Sequence, residues 1–234
     1  MFCSAREMVF DRRRLLLPLL LILLLFADRS TVEAEADPDP EKLAGRLQEI
    51  YDQVTGFKAE FQQRTAMPMS RRQRAGEGTV MFRKPHQMRW EYAAPDHQVL
   101  VGDGKEVHFY SARSNQLMIS EVDTYLDSDV TYAFFAGTGD ILRDFAVTAV
   151  PERERPALPA GYHALRLEPR ELHSQVEYLD LLVGGEPFFI RRLDIVDHFG
   201  SVTTLEFSRV ELDPELPADF YRFEPPEEVE ILRN

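Results

Sequence analysis

Cysteine is all but missing from this chain. The one Cys among 234 residues is Cys3, ahead of everything that looks like a folded domain. From Asp37 onward no disulfide can form and no thiolate can act as metal ligand or nucleophile. Positive charge is also scarce: 27 Lys and Arg stand against 40 Asp and Glu, for a net charge of −13. With no basic stripe to offset it, that surface repels nucleic acid and anionic lipid headgroups. Long hydrophobic runs are absent as well. The longest, Leu15 to Phe26, is too short to cross a bilayer.

That one run reads as targeting. Arg12, Arg13 and Arg14 form a basic n-region, Leu15 to Phe26 the apolar h-region, and Ala34-Glu35-Ala36 a small-x-small cleavage site. Residues 1–36 are therefore expected to be a cleaved secretory signal, and 37–234 one exported domain. The five basic and five acidic residues before Asp37 cancel, so the mature chain keeps the whole −13. Cys3 precedes the h-region and cannot serve as a lipid-attachment cysteine at a signal cleavage site.

What is present is mostly strand. Asp39 and Pro40 open a helix with an apolar stripe at Leu43, Leu47, Ile50 and Val54, stopped by Gly56. The period then switches to two at Phe57, Ala59 and Phe61. Strands are expected at about 76–84, 87–93, 98–102, 105–112, 116–122, 146–150, 162–168, 176–183, 188–198 and 201–212. Helical pieces interrupt at Thr131–Ala136 and Asp140–Asp144. Asp103-Gly104 is a strong hairpin signal, with Leu100 opposite Val107 and Phe109 on the same face. About eleven strands without a strand–helix rhythm argue against a parallel sheet and for an antiparallel one with a few packed helices.

Chemistry is hard to find. Six His are scattered, with no HxH, HExxH, nucleophile elbow or phosphate loop. Gly76-Glu77-Gly78 and Gly137-Thr138-Gly139 read as turn geometry. The pairs Asp194 with Asp197 and Glu211 with Asp213 read as solvated faces on so acidic a chain. No metal, no cofactor, no catalytic residue and no enzyme activity are expected.

The strands carry large apolar side chains, some on both faces. Met88, Trp90 and Tyr92 share one face, as do Val80 and Phe82. Val99, Val101 and Tyr110 lie opposite Leu100 and Phe109. A twisted sheet this wide tends to curl, and a concave face must then be filled by side chains or by a ligand. Pattern alone favours a packed core.

Ordered blocks along the chain resemble the periplasmic outer-membrane lipoprotein carrier family, LolA. They are F-R-K-P at Phe82–Pro85, R-W-x-Y at Arg89–Tyr92, V-x-D-G-K at Val101–Lys105, F-F-A-G-T-G-D at Phe134–Asp140 and F-Y-R-F-E-P-P at Phe220–Pro226. The resemblance implies an α+β fold: an incomplete, strongly curved antiparallel β-barrel with a helical lid over a hydrophobic cavity. It implies a soluble, monomeric carrier of lipoprotein acyl chains. The donor would be an inner-membrane ABC-type release complex and the recipient an outer-membrane receptor. Val80, Phe82, Met88, Trp90, Leu100 and Phe109 would line the cavity. In the family an Arg before the motif's Pro latches the lid; Lys84 holds that place here, preceded by Arg83. A carrier or sensor of another lipid, such as a glycolipid, would use the same cavity. The need is physical: at about 0.8 kcal/mol per methylene, three bare acyl chains cost on the order of 30 kcal/mol to expose to water.

Overall fold

The computed structural model describes residues 38–68, 70, 73–128, 139–217 and 219–233. The signal segment, the helix expected at Thr131–Ala136 and most of the Phe134–Asp140 block lie outside the described residues.

Helix α1 (Pro40–Gln53) starts as its sequence dictates: the Asp39 carboxylate accepts the Glu41 amide at 3.0 Å, with Pro40 in the first turn. Its buried face is Leu43, Ala44, Leu47 and Tyr51, and it ends at Val54, whose backbone is extended. Six strands follow: β1 (Gly56–Ala66), β2 (Arg74–Arg83), β3 (Gln87–Ala94), β4 (Gln98–Asp103), β5 (Glu106–Ser111) and β6 (Gln116–Glu121). Then come α2 (Val122–Ser128) and α3 (Ile141–Asp144). The chain continues through β7 (Phe145–Ala149), β8 (Tyr162–Pro169), β9 (Tyr178–Gly184), β10 (Phe189–Val196), β11 (Val202–Leu212) and β12 (Glu230–Arg233).

The expected incomplete, strongly curved barrel of about eleven strands with a lid does not form. The strands make one open twelve-stranded sheet, ordered β12-β6-β5-β4-β3-β2-β1-β11-β10-β9-β8-β7, with β7 and β12 at its two ends. It is mixed rather than wholly antiparallel, because β12 joins β6 in parallel. The physical reason is that the sheet buries its apolar faces without closing on itself. One face meets α1, α2 and α3 through a continuous core that holds Leu47, Tyr51, Val122 and Ile141. On the other face, Val99 and Val101 pack with Tyr221, Leu216 and Phe220, and Tyr110, Leu117 and Ile119 with Phe223 and Val229. Leu216, Phe220, Tyr221, Phe223 and Val229 thus cover the second apolar face that the strand pattern left without a partner.

Gly76 and Gly78 lie inside β2, not in a turn. A Cβ on Gly78 would sit 1.8 Å from the Glu91 carbonyl oxygen, and one on Gly76 3.0 Å from the Tyr92 ring. Phe61 and Tyr92, both opposite Gly78, meet edge to face at 4.9 Å. The hairpin at Asp103-Gly104 is also longer than its dipeptide suggests. Asp103 accepts the amides of Lys105 at 2.8 Å and Glu106 at 2.9 Å, and Leu100 pairs with Phe109 rather than Val107. A shift of two residues keeps every side chain on its expected face.

Candidate functional site

Cross-strand pairing brings the aromatic and aliphatic side chains of the helix-covered face into rows. Phe57 pairs with Phe82, and Phe82 with Met88; Ala59 pairs with Val80, Val80 with Trp90, and Trp90 with Leu100. Near α1 these rows are closed. Tyr51 stacks on Phe189 at 5.6 Å, and Phe57 on Phe82 at 5.2 Å. Val80 and Phe82, expected in a cavity, are here packed core.

Farther along, the packing opens. A cavity of about 190 Å³ is lined by Met88, Trp90, Leu100, Phe109, Tyr125 and Leu205, with Gln63, Tyr92, Gln98 and Thr203 at its polar side. Four of the six expected cavity residues meet there. Tyr125 from α2 and Leu205 from β11 were not anticipated. Leu205 stands in an alternating strand that looks like any other, and Tyr125 in a stretch without clear period. Trp90 contacts Phe61 at 5.0 Å and Phe82 at 6.3 Å, so it forms the boundary between packed core and open cavity. Tyr92 Oη donates to Gln63 Oε1 at 2.6 Å and turns its polar end away from the apolar wall.

A larger open cleft, about 590 Å³, lies beside β7 and β8, with Arg143, Asp144, Arg170 and Glu171 among its lining. Those charges would have to lose water against an apolar ligand, whereas no charged side chain lines the smaller cavity.

Arg83 and Lys84 diverge. The Lys84 ammonium donates to the main-chain carbonyl of Tyr51, in the last turn of α1, and lies 5.5 Å from the Tyr51 ring centre. Arg83 Nε donates to Gln87 Oε1 at 2.8 Å, and its guanidinium lies 4.7 Å from the ring centre of Tyr221. One cation holds helix to sheet; the other holds the segment that covers the opposite face. Beside Lys84, Asp213 Oδ1 accepts both the amide of Thr55 at 2.6 Å and its hydroxyl at 2.7 Å. These bonds hold the Asp213 carboxyl below its usual range, the Thr55 hydroxyl contributing most. Asp213 therefore joins β1 and β11 rather than serving as a solvated face.

A cavity walled by Met88, Trp90, Leu100 and Phe109 and bordered by Gln63, Gln98 and Thr203, set on an open sheet, is the geometry of a binding protein. The family model described as outer membrane lipoprotein carrier protein LolA matches residues 52–224, and the chain belongs to that family. Its function is accordingly of the carrier type and not enzymatic. An outer-membrane lipoprotein carrier protein of Bordetella pertussis is 31% identical over 181 residues, 77% of this chain and 81% of its own length. One of Nitrosomonas europaea is 30% identical over 188 residues, 80% and 87%. Among solved structures, an uncharacterized conserved protein of Thermus thermophilus matches with a TM-score of 0.53 at 16% identity. That match covers 83% of this chain and 98% of the other, and speaks for the fold alone. Membership implies contact with lipoprotein-transport machinery, and a periplasmic location is consistent with it.

Proposed function

We propose that this protein carries lipoproteins across the periplasm, sheltering their acyl chains in the cavity bounded by Met88, Trp90, Leu100 and Phe109. The observation behind this reading is that cavity: apolar on one side, polar on the other, in a chain of the carrier family. In this reading residues 1–36 direct export and are removed, and 37–234 is the carrier. An inner-membrane ABC-type complex supplies the cargo and an outer-membrane receptor takes it. No covalent step is needed: the driving force for capture is removal of methylenes from water, about 0.8 kcal/mol each. Lys84 serves as a latch in the modest sense that it ties the end of α1 to the sheet; Arg83 acts on the other face.

The test is a native mass spectrum of the full-length gene product purified from a Gram-negative periplasm, followed by release of lipoprotein from spheroplasts. Bound lipoprotein and active release are expected. Bound glycolipid would instead favour a carrier of that lipid, and a protein that takes up no lipid would sink the proposal. Trp90→Glu is expected to abolish uptake by placing a charge in the cavity. Because Trp90 is buried, Leu100→Glu at a half-buried wall position provides a second variant, with circular dichroism to check the fold.

A further inference from the structure

Strand register extends the cavity wall well beyond the cavity. Trp90 pairs with Leu100, Leu100 with Phe109, Phe109 with Met118, and Met118 with Leu232. These five side chains lie on one face and form a row running straight across β3, β4, β5, β6 and β12 to the edge of the sheet. Their exposure rises along the row. Trp90 is 5% exposed, Leu100 and Phe109 are half-buried, Met118 is 37% exposed and Leu232 39%. Four inter-strand spacings make the row roughly 19 Å long, the scale of a fatty acyl chain.

A second row runs beside it, and it is polar. Tyr92 pairs with Gln98, Gln98 with Ser111, Ser111 with Gln116, and Gln116 with Glu230. Both ends are fixed: Tyr92 Oη to Gln63 at one, and Gln116 Nε2 donating to Glu230 Oε2 at 2.7 Å at the other. An apolar strip with a hydrogen-bonding border along one side suits a molecule that is itself apolar along its length and polar at one end. A row of Met, Phe and Leu at a sheet edge is otherwise an invitation to association.

The cavity itself is too small for its task. Its 190 Å³ falls below the roughly 300–1,000 Å³ typical of small-molecule pockets. Several acyl chains cannot fit inside it. We propose that the row from Leu100 to Leu232 is a second acyl-binding track, continuous with the cavity. One chain of a multiply acylated lipid lies along it, with the polar group at the Gln98–Gln116 border. This rests on the carrier function proposed above and adds Met118 and Leu232 as determinants of how many chains are held.

Trp90, the sole tryptophan, lines the cavity and reports its occupancy by fluorescence. The experiment titrates the purified full chain with synthetic lipopeptides bearing one or three acyl chains. Met118→Glu and Leu232→Glu change exposed positions and should fold normally. Each is expected to weaken the tri-acyl lipopeptide about tenfold, what losing roughly two buried methylenes costs, and to leave the mono-acyl one within about twofold. Unchanged tri-acyl affinity in both variants, while Leu100→Glu loses both ligands, would overturn the track and leave the carrier function standing. If no lipopeptide binds the unmodified protein, the function and the track fall together. A change of oligomeric state in Met118→Glu with lipid affinity intact would also overturn the track, making this edge an interface between copies of the chain.

Discussion

Lys84 donates its ammonium hydrogen bond to the main-chain carbonyl of Tyr51, so a single side chain joins the end of β2 to the last turn of α1. Carbonyls at a helix C-terminus lack intrahelical partners and carry the negative end of the dipole, which makes a cation there worth about 1 kcal/mol. Lys84→Ala should lower unfolding free energy by about that amount and raise amide exchange in 49–53. Lys84→Arg should retain most of the effect. Arg83→Ala should leave α1 unchanged and loosen 219–223, where its guanidinium covers Tyr221. Hydrogen exchange resolved by peptide checks all three. Equal exchange of α1 in Lys84→Ala and the parent chain would remove the latch.

Acid should act on the same corner through Asp213. Its carboxyl is held below the usual range, first by the Thr55 hydroxyl and then by the Thr55 amide. A depressed folded-state pKa stabilises the fold above the ordinary aspartate range, and that contribution fades as pH falls through the lowered value. Asp213 is exposed, so the effect on global stability is small. The local signature is sharper: the Thr55 amide resonance should titrate below about pH 4, and Asp213→Asn should erase that titration. Invariance of the Thr55 amide over the acid range would contradict the contact.

Tyr221 offers a test of the second covered face. Its ring is 2% exposed against Val99 and Val101, yet its hydroxyl has no hydrogen-bond partner among the described residues. Burial pushes its pKa up to about 12. A buried unpaired hydroxyl is a cost, so Tyr221→Phe should be neutral or stabilising by up to about 1–2 kcal/mol. Tyr221→Ala should cost about 3–5 kcal/mol by emptying the site. Urea unfolding at neutral pH separates the two. A loss above about 1 kcal/mol in the Phe variant would mean the hydroxyl has a stabilising partner after all.

How much of this was legible depended on whether a signal was local. The Asp39-Pro40 cap, the period-two strands and the Asp103-Gly104 turn are local, and each element lies where its sequence places it within a few residues. The faces of Leu100, Phe109, Val99 and Tyr110 followed from alternation, which survives a register shift of two. What covers those faces did not follow. Nothing in Val99 or Tyr110 reveals that Phe220, Tyr221 and Phe223, more than a hundred residues on, will pack there. With that layer hidden, the width of the sheet and the family resemblance pointed to an incomplete, strongly curved barrel. The four residues of β12 are too few to show a period. Gly76 and Gly78 were misleading because glycine signals a turn and a crowded strand alike; the neighbours on β3, the Tyr92 ring at Gly76 and the Glu91 carbonyl at Gly78, tell them apart. The cavity was half legible for the same reason. Met88, Trp90, Leu100 and Phe109 announce an apolar wall, but core and cavity differ in whether an aromatic from another element fills the gap, as Phe189 does beside Tyr51.

The far side of the sheet depends on a charge cluster around Arg166. Its guanidinium makes two parallel bonds to Asp180, Nε to Oδ1 at 2.8 Å and Nη2 to Oδ2 at 2.7 Å, and a third to Glu154 at 2.9 Å. It also lies 4.0 Å from the ring centre of Tyr178. Bidentate geometry of this kind is the strong form of the interaction. Arg166 and Asp180 are only 12% and 20% exposed, so removing the cation strands a carboxylate with little water around it. Arg166→Ala should therefore destabilise the protein by about 2–3 kcal/mol, below the roughly 3–5 kcal/mol of a fully buried pair. Asp180→Asn should cost less, because the amide oxygen still accepts. Lipid uptake should be unaffected in both, since Arg166 and Asp180 point away from the face that Leu165 and Leu181 share with the core. Parallel denaturation and Trp90 fluorescence titrations check the separation. A variant that kept full stability but lost lipid would show that the two halves of the sheet are coupled in a way their packing does not predict.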